Sequence, residues 1–144
     1  MPRRRLRDAA ALARREWRLL VEAALLTVVV RLAVAFIPLT RCAGFLRGCC
    51  RWLPHGRPVE LERAASIVGL ISGRLARQRC LTQTLVLFTL LARRSVDAEV
   101  VIGTATHDGR FAAHAWLRAG NRQWLARGSH AYTPLYTIGA GERR

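Results

Sequence analysis

Cys80 and His114 are the two side chains of this sequence whose types together support nucleophilic acyl chemistry. A histidine takes the proton of a cysteine thiol, and the thiolate that remains attacks a carbonyl carbon. Cys80 opens a predicted helix, whose free amide groups favour a thiolate, and Arg77 and Arg79 add positive charge directly before it. Because single cysteines and histidines are most often ordinary core residues, the two types alone leave both a catalytic and a structural interpretation open.

The other three cysteines, Cys42, Cys49 and Cys50, do not have the spacing of a metal site. They form no CxxC pair, and no pair of histidines follows at the distance that a zinc finger requires, although His55 lies nearby. The sequence also has no glycine-rich phosphate-binding loop. We therefore expect buried thiols at these positions and no cofactor or metal in this chain.

The elements that must position Cys80 and His114 begin with predicted helices. A basic lead-in of helical composition over 1–18 is followed by an apolar segment over 19–39, whose predicted helix ends at Pro38. A connector over 40–58 comes next, and a further helix then begins at Pro58 or Val59. The next helix extends from Cys80 to Arg94, and Leu81, Leu85 and Phe88 recur on its packed side.

After Arg94 the hydrophobic period changes from helical to extended. Strands are predicted over 99–103, 110–118 and 122–127, with turns at 107–109 and 119–121 and a loose tail over 128–144. His114 lies on the second of these strands. The fold class is therefore α+β, with N-terminal helices, a nucleophile-bearing helix and a short antiparallel β-meander. We divide the chain into a helical N-terminal region with its connector, 1–57, and a catalytic core, 58–144.

The charge of the chain restricts its partners. All 24 basic residues are Arg, against 9 carboxylates, and the formal net charge is +15. The hydrophobic fraction of 51% excludes a disordered polycation, and a length of 144 residues excludes a two-domain enzyme with its own cofactor domain. Because the arginines are spread along the chain and Lys is absent, we expect no nucleic-acid partner. Glu22 and Arg31 make residues 19–39 a poor membrane span, so a buried or an interfacial helix is expected, and peripheral contact with lipid headgroups is left open.

Four segments around the two candidate residues resemble one known family. They are CLTQTL at 80–85, LLARR at 90–94, AEVVIG at 98–103 and FAAHAW at 111–116. In this order and spacing they are similar to the transglutaminase-like cysteine peptidases that remove the leader from lasso-peptide precursors. The resemblance covers about residues 58–135 and includes the sequence YTPL at 132–135. It implies a papain- or transglutaminase-like core in which Cys80 is the nucleophile and His114 the general base and acid.

The resemblance also implies the partners and the location of the protein. Its substrate would be a ribosomally made precursor peptide, cut at the junction of leader and core in the bacterial cytoplasm, with contact to the inner face of the membrane as an option. A separate macrolactam cyclase would then close the ring. Residues 1–79 are predicted as helical and apolar, unlike the β-rich leader-binding domain that is fused to some family members. A separate leader-binding protein is therefore expected.

The sequence departs from the family pattern at the third catalytic position. Members often carry an Asp on the strand after the histidine, where it orients the imidazole, but residues 122–127 contain no carboxylate. Hairpin register predicts Ala126 or Arg127 opposite His114, so a backbone carbonyl, Ser129 or Asp108 is left as the substitute. Two other functions remain open: a transglutaminase-like acyl transferase, and a non-catalytic membrane-associated scaffold of the biosynthetic complex.

Overall fold

The computed structural model describes residues 2–52, 55–56, 58–75, 79–126 and 131–139. Within these ranges the chain forms helices and then strands, in the order α1 (Pro2–Phe36), α2 (Leu39–Trp52), α3 (Leu61–Leu75), α4 (Arg79–Ala92), β1 (Glu99–His107), β2 (Arg110–Ala119), β3 (Arg122–Trp124) and β4 (Thr133–Ile138). The α+β fold class predicted from the sequence is confirmed.

Helix α1 joins the basic lead-in and the apolar segment into one element. The helix bends at Glu16, whose φ of −124° and ψ of 20° leave the helical region. It ends at Phe36, two residues before Pro38, as expected because the residue before a proline avoids helical geometry. The face that packs into the core consists of Leu19, Ala23, Leu26, Val30 and Ala33.

The predicted connector over 40–58 is wrong over most of its length, because Leu39–Trp52 is helix α2. Cys42, Leu46 and Cys50 recur at i, i+4 and i+8 and are buried on one side of this helix. No proline lies between Pro38 and Pro54 to interrupt it. Glycine lowers helix propensity only by about 1 kcal/mol each, so burial of one apolar face outweighs the glycine signal.

Helix α4 is the central helix of the fold. Every side chain from Thr84 to Leu91 is buried, and the helix contacts α1, α2, α3, β1 and β2. The predicted packed side is confirmed at Leu85 and Phe88, which are each at most 1% exposed, while Leu81 is partly buried against the core. α3 begins at Leu61, two to three residues later than predicted, where the Ala64 amide donates to the Glu60 carbonyl at 3.0 Å. Burial on all sides fixes the position of the helix start that carries Cys80.

The strands form one antiparallel sheet in the order β3-β2-β1-β4. The turn between β1 and β2 is the predicted one, with φ of 49° at Asp108 and 72° at Gly109, as tight hairpins require. The prediction of a loose tail is wrong over 133–138, because Thr133–Ile138 is a strand that pairs with the second edge of β1. A buried strand such as β1 needs partners for its backbone groups on both edges, and the tail supplies them.

The two faces of the sheet have different neighbours. Val100 and Leu117 are paired and belong to the core cluster formed with the helices. Because side chains alternate along a strand, the Gly103–His114 pair and Trp116 belong to the opposite face. The core runs without a break from α1 to β2, and the division of the chain at residue 57 stays a prediction.

One segment of the described chain is long and apolar enough to cross a membrane by length and composition. It is Glu16–Phe36 in α1, with a mean hydropathy of 2.3 and 33% of its apolar window buried in the protein.

Candidate active site

Cys80 is the second residue of α4 and its side chain is half-buried. The first four amides of a helix have no acceptor inside it, so the Cys80 N–H is available to an oxygen outside the helix. The structure therefore places the candidate nucleophile at a helix start, as the sequence predicts. Arg77 and the side chain of Arg79 lie outside the described residues, so their predicted contribution to the thiolate stays a prediction.

Thr84 connects the start of α4 to the strand that carries His114. Its hydroxyl oxygen lies 2.7 Å from the Cys80 carbonyl oxygen and 3.1 Å from the Ala115 carbonyl oxygen, and its single hydrogen is shared between these two acceptors. The two carbonyl oxygens consequently lie within about 6 Å of each other. The fold thus brings together the backbones of the two segments that are 34 residues apart in sequence.

His114 is half-buried in β2, and its imidazole has a specific backbone acceptor. Its Nε2 lies 3.2 Å from the Leu125 carbonyl oxygen. Because a carbonyl oxygen can only accept, this contact assigns the proton of the neutral ring to Nε2. Nδ1 then carries the lone pair that a general base needs.

The acceptor for His114 is a backbone carbonyl directly after β3. β3 ends at Trp124, and Leu125 leaves the ladder with a φ of 57°, a conformation that bulky side chains rarely adopt. This backbone turn brings the Leu125 carbonyl to His114. Arg127, one of the two residues that hairpin register predicts opposite His114, lies outside the described residues. A backbone carbonyl was one of the three substitutes for the missing Asp.

Of the other two substitutes, Asp108 lies away from the imidazole, and Ser129 is not among the residues that the structure describes. Asp108 forms the β1–β2 turn, six residues before His114, and a strand rises about 3.3 Å per residue. Its carboxylate is thus at the far end of the hairpin. Ser129 and Arg127 lie outside the described residues.

Two aromatic rings lie beside the imidazole. The Trp116 ring centroid is 6.0 Å from that of His114 with 22° between the planes, and the Tyr132 centroid is 5.3 Å away at 38°. Trp116 is 3% exposed, and its indole crosses Gly103, where a Cβ would come within 2.7 Å of the ring. Gly103 therefore admits the ring that stacks on His114.

Trp124 packs differently from Trp116. Its ring contacts the core cluster, and the Arg122 guanidinium lies 5.0 Å from the ring centroid. Its Nε1 is buried without a hydrogen-bond partner among the described residues. Trp124 thus packs the hairpin, whereas Trp116 packs and also borders the imidazole.

Cys42 and Cys50 are poorly suited to act as nucleophiles. Burial raises the pKa of the Cys42 thiol above its usual value. Burial also raises the pKa of Cys50, and nearby Arg93 opposes this only in part. The Cys50 thiol donates to the Thr89 carbonyl at 3.7 Å, which further favours the protonated form. Among the described residues no group of three or more His, Cys, Asp and Glu is arranged to hold a metal ion.

Sequence reasoning missed Thr84, Gly103 and Leu125 as parts of this site. Thr84 had a signal, since a polar residue four positions after Cys80 in an apolar helix shares a face with it. Gly103 lies inside a segment that carries the family resemblance. Leu125 acts through its backbone carbonyl, so its apolar side chain gives no indication of this role in the sequence.

A half-buried thiol at a helix start and an oriented imidazole on the strand that Thr84 joins to that helix are the two groups that acyl transfer through a thioester needs. The structure joins the backbones of their two segments and shows no hydrogen bond between the thiol and the imidazole. A family model described as transglutaminase-like superfamily matches residues 24–137. The match covers well over half of the chain and includes both Cys80 and His114. No curated protein and no solved structure gives a significant match.

Proposed function

Since the chain belongs to the transglutaminase-like superfamily, we propose that it is a cysteine peptidase that removes the leader from a lasso-peptide precursor. Cys80 is the nucleophile of this proposal, and His114 is the general base and acid. The observation that carries it is the contact between His114 Nε2 and the Leu125 carbonyl. This contact supplies the orienting acceptor that the missing Asp would otherwise provide.

The reaction divides into two acyl transfers. His114 Nδ1 takes the proton of the Cys80 thiol, and Sγ bonds to the carbonyl carbon of the peptide bond at the leader–core junction. The Cys80 N–H donates to the oxygen that becomes negative. The C–N bond breaks as His114 returns the proton to the amine of the core, which leaves the leader as a thioester on Cys80. Water, deprotonated by His114, then releases the leader acid and restores the thiol.

The meeting point of the two side chains is proposed at the open edge of β2. The β2–β3 ladder joins residues 117–119 to 122–124, so within the described chain β2 has no ladder partner on this side before Leu117. His114 lies in this unpaired part of β2. Because Thr84 binds the start of α4 to the adjacent Ala115, thiol and imidazole can approach each other around this edge.

The proposal includes partners in the bacterial cytoplasm. The peptidase acts on the precursor peptide together with a separate leader-binding protein, and a macrolactam cyclase uses the freed amine. No nucleic acid is required.

The test is cleavage of the precursor, with the leader-binding protein present, by the wild type and by Cys80→Ala, His114→Ala and Cys49→Ala. The first two variants should lose cleavage by at least about a thousandfold, and Cys49→Ala, which removes another half-buried thiol, should keep it. Full cleavage by folded Cys80→Ala would refute the proposal. Iodoacetamide at neutral pH should modify Cys80 before Cys42 and Cys50.

The products separate the proposal from its two rivals. Hydrolysis yields a free leader acid by mass spectrometry, whereas acyl transfer to an amine yields a leader conjugate. A scaffold yields neither product, and its precursor complex would form equally well with Cys80→Ala.

A further inference from the structure

Helix α1 carries a second apolar face that the described residues leave uncovered. Trp17, Val21, Leu25, Val28, Leu32 and Phe36 are 49% to 82% exposed. At 100° per residue these six side chains lie within an arc of about 100° of the helix. We call them the α1 stripe.

The α1 stripe lies opposite the face that packs into the core. Leu19, Ala23 and Val30 are buried on that other face, so α1 is apolar on both sides after its bend. A helix that is apolar all round needs cover on all sides. Within the described chain the core covers only one of them.

The charges around the α1 stripe suit an anionic surface. Both carboxylates of the segment 16–36 are ion-paired away from the stripe, Glu16 with Arg63 and Glu22 with Arg93 and Arg94. After Glu22 the next carboxylate in the sequence is Glu60, and residues 1–15 contain six arginines and one carboxylate.

Exposed arginines also lie along the α1 stripe itself. Arg18 and Arg31 are exposed at its two sides, and the Arg18 guanidinium lies 5.4 Å from the Trp17 ring centroid. Tryptophan and arginine are residues that occupy the boundary between lipid headgroups and acyl chains. The stripe is thus apolar in its centre and cationic at its margins.

From these observations we propose that the α1 stripe is a membrane-binding face and that its occupant is the surface of an anionic lipid bilayer. The helix lies in the plane of the interface, with the six apolar side chains among the upper acyl chains and the arginines at the headgroups. This proposal is independent of the peptidase proposal, because it uses no residue of the candidate active site.

The structure favours an in-plane helix over a spanning one. A span would expose to lipid the carboxylate of Glu22, which accepts from Arg94 at 2.8 Å through Oε2. It would also remove Leu19, Ala23 and Val30 from the core. Both costs are avoided when only the α1 stripe enters the bilayer, since the opposite face keeps its contacts.

The experiment is co-sedimentation of the full chain with vesicles. One set contains equal parts of phosphatidylcholine and phosphatidylglycerol, and the other contains phosphatidylcholine alone. We compare the wild type with Leu25→Asp/Leu32→Asp on the stripe. The matched control is Leu70→Asp/Leu135→Asp, which makes the same charge change at exposed leucines of α3 and β4.

We expect the wild type and the control to bind anionic vesicles, and Leu25→Asp/Leu32→Asp to bind at least about tenfold less. Binding to neutral vesicles, and binding in high salt, should be weaker for every protein. Leu25→Ser/Leu32→Ser keeps the net charge and should also bind less, because apolar contact is lost. Circular dichroism checks that each variant is folded.

Three results would overturn the proposal. The first is equal binding by the wild type and the folded stripe variants. The second is a wild-type dimer without vesicles that Leu25→Asp/Leu32→Asp converts to a monomer, because a second copy would then cover the stripe. The third is that Leu25→Asp/Leu32→Asp still binds vesicles as the wild type does but no longer binds the leader-binding protein.

Discussion

The candidate site depends on two backbone contacts that side-chain chemistry alone does not reveal. The imidazole of His114 is oriented by the Leu125 carbonyl, and the start of α4 is held to β2 by the hydroxyl of Thr84. Thr84 is fully buried and lies one turn after Cys80. We assign it as a positioning residue, since it acts on the relation between Cys80 and β2.

Thr84→Val keeps the shape of the side chain and removes the hydroxyl. We expect kcat for precursor cleavage to fall about tenfold, with KM changed less than about twofold, because the nucleophile is misplaced while the substrate contacts remain. Stability should fall by about 1 kcal/mol, the net contribution of a buried hydrogen bond.

The control for this prediction is Thr84→Ser, which restores the hydroxyl and should restore most of kcat. If the serine and valine variants have equal kcat, Thr84 has only a packing role. Urea unfolding measured beside the kinetics separates the two roles.

At the scale of elements, the close approach of β1, β2 and β4 creates the surroundings of His114. Gly103 pairs with His114 and lies under the indole of Trp116. The pairing of β4 with β1 also shifts its register between Ile102 and Gly103. This part of β1 is therefore constrained by its neighbours on both edges and one face, and a glycine meets all three constraints.

Gly103→Ala should impair both stability and activity. The new Cβ would lie 2.7 Å from the Trp116 ring and 3.0 Å from the Thr133 carbonyl oxygen, so the indole must move away from His114. We expect a stability loss of about 1–3 kcal/mol and a kcat at least about tenfold lower. Thermal unfolding and cleavage kinetics measure these effects.

Gly69→Ala in α3 is the matched control. A Cβ at Gly69 meets no heavy atom within 4 Å, so the substitution should stabilise the helix by about 0.5–1 kcal/mol. Equal effects of the two alanines would contradict the role assigned to Gly103.

At the scale of the whole molecule, α1 is held on the core by a nearly buried ion cluster. Glu22 pairs with Arg93 and Arg94 at the end of α4, and their side chains are 17%, 15% and 5% exposed. Gly56 adds to the cluster, because its N–H donates to the Arg93 carbonyl at 3.2 Å. These contacts attach the N-terminal helices to the helix that carries Cys80.

Glu22→Ala should therefore destabilise the whole fold. Two nearly buried guanidinium groups would lose their carboxylate, and we expect a free energy of unfolding lower by about 3 kcal/mol. Glu16→Ala removes a more exposed pair with Arg63, 40% exposed, and should cost at most about 1 kcal/mol. Urea unfolding of both variants provides the measurement, and similar losses would refute this account.

Local sequence patterns determined most of the elements of this protein, other than α2 and β4, and the types of its candidate catalytic residues. The period of apolar residues predicts α4 and the packed side that contains Leu85 and Phe88, and the residues around Asp108 predict the hairpin. These features are set by contacts within a few residues, so the sequence alone contains them. The glycines of α2 and the loose composition of the tail misled the same approach, because distant contacts outweigh local propensity there.

Only the tertiary structure decided what surrounds His114. The turn at Leu125 presents a carbonyl where register predicts a side chain, and β4 returns to the open edge of β1 with Tyr132 directly before it. The hydroxyl of Thr84 joins residues that are far apart in the chain. Each of these contacts depends on backbone groups and long-range packing, which have no period or motif in the sequence. The physical reason is that backbone carbonyls are chemically alike, so only the fold selects which of them meets the imidazole.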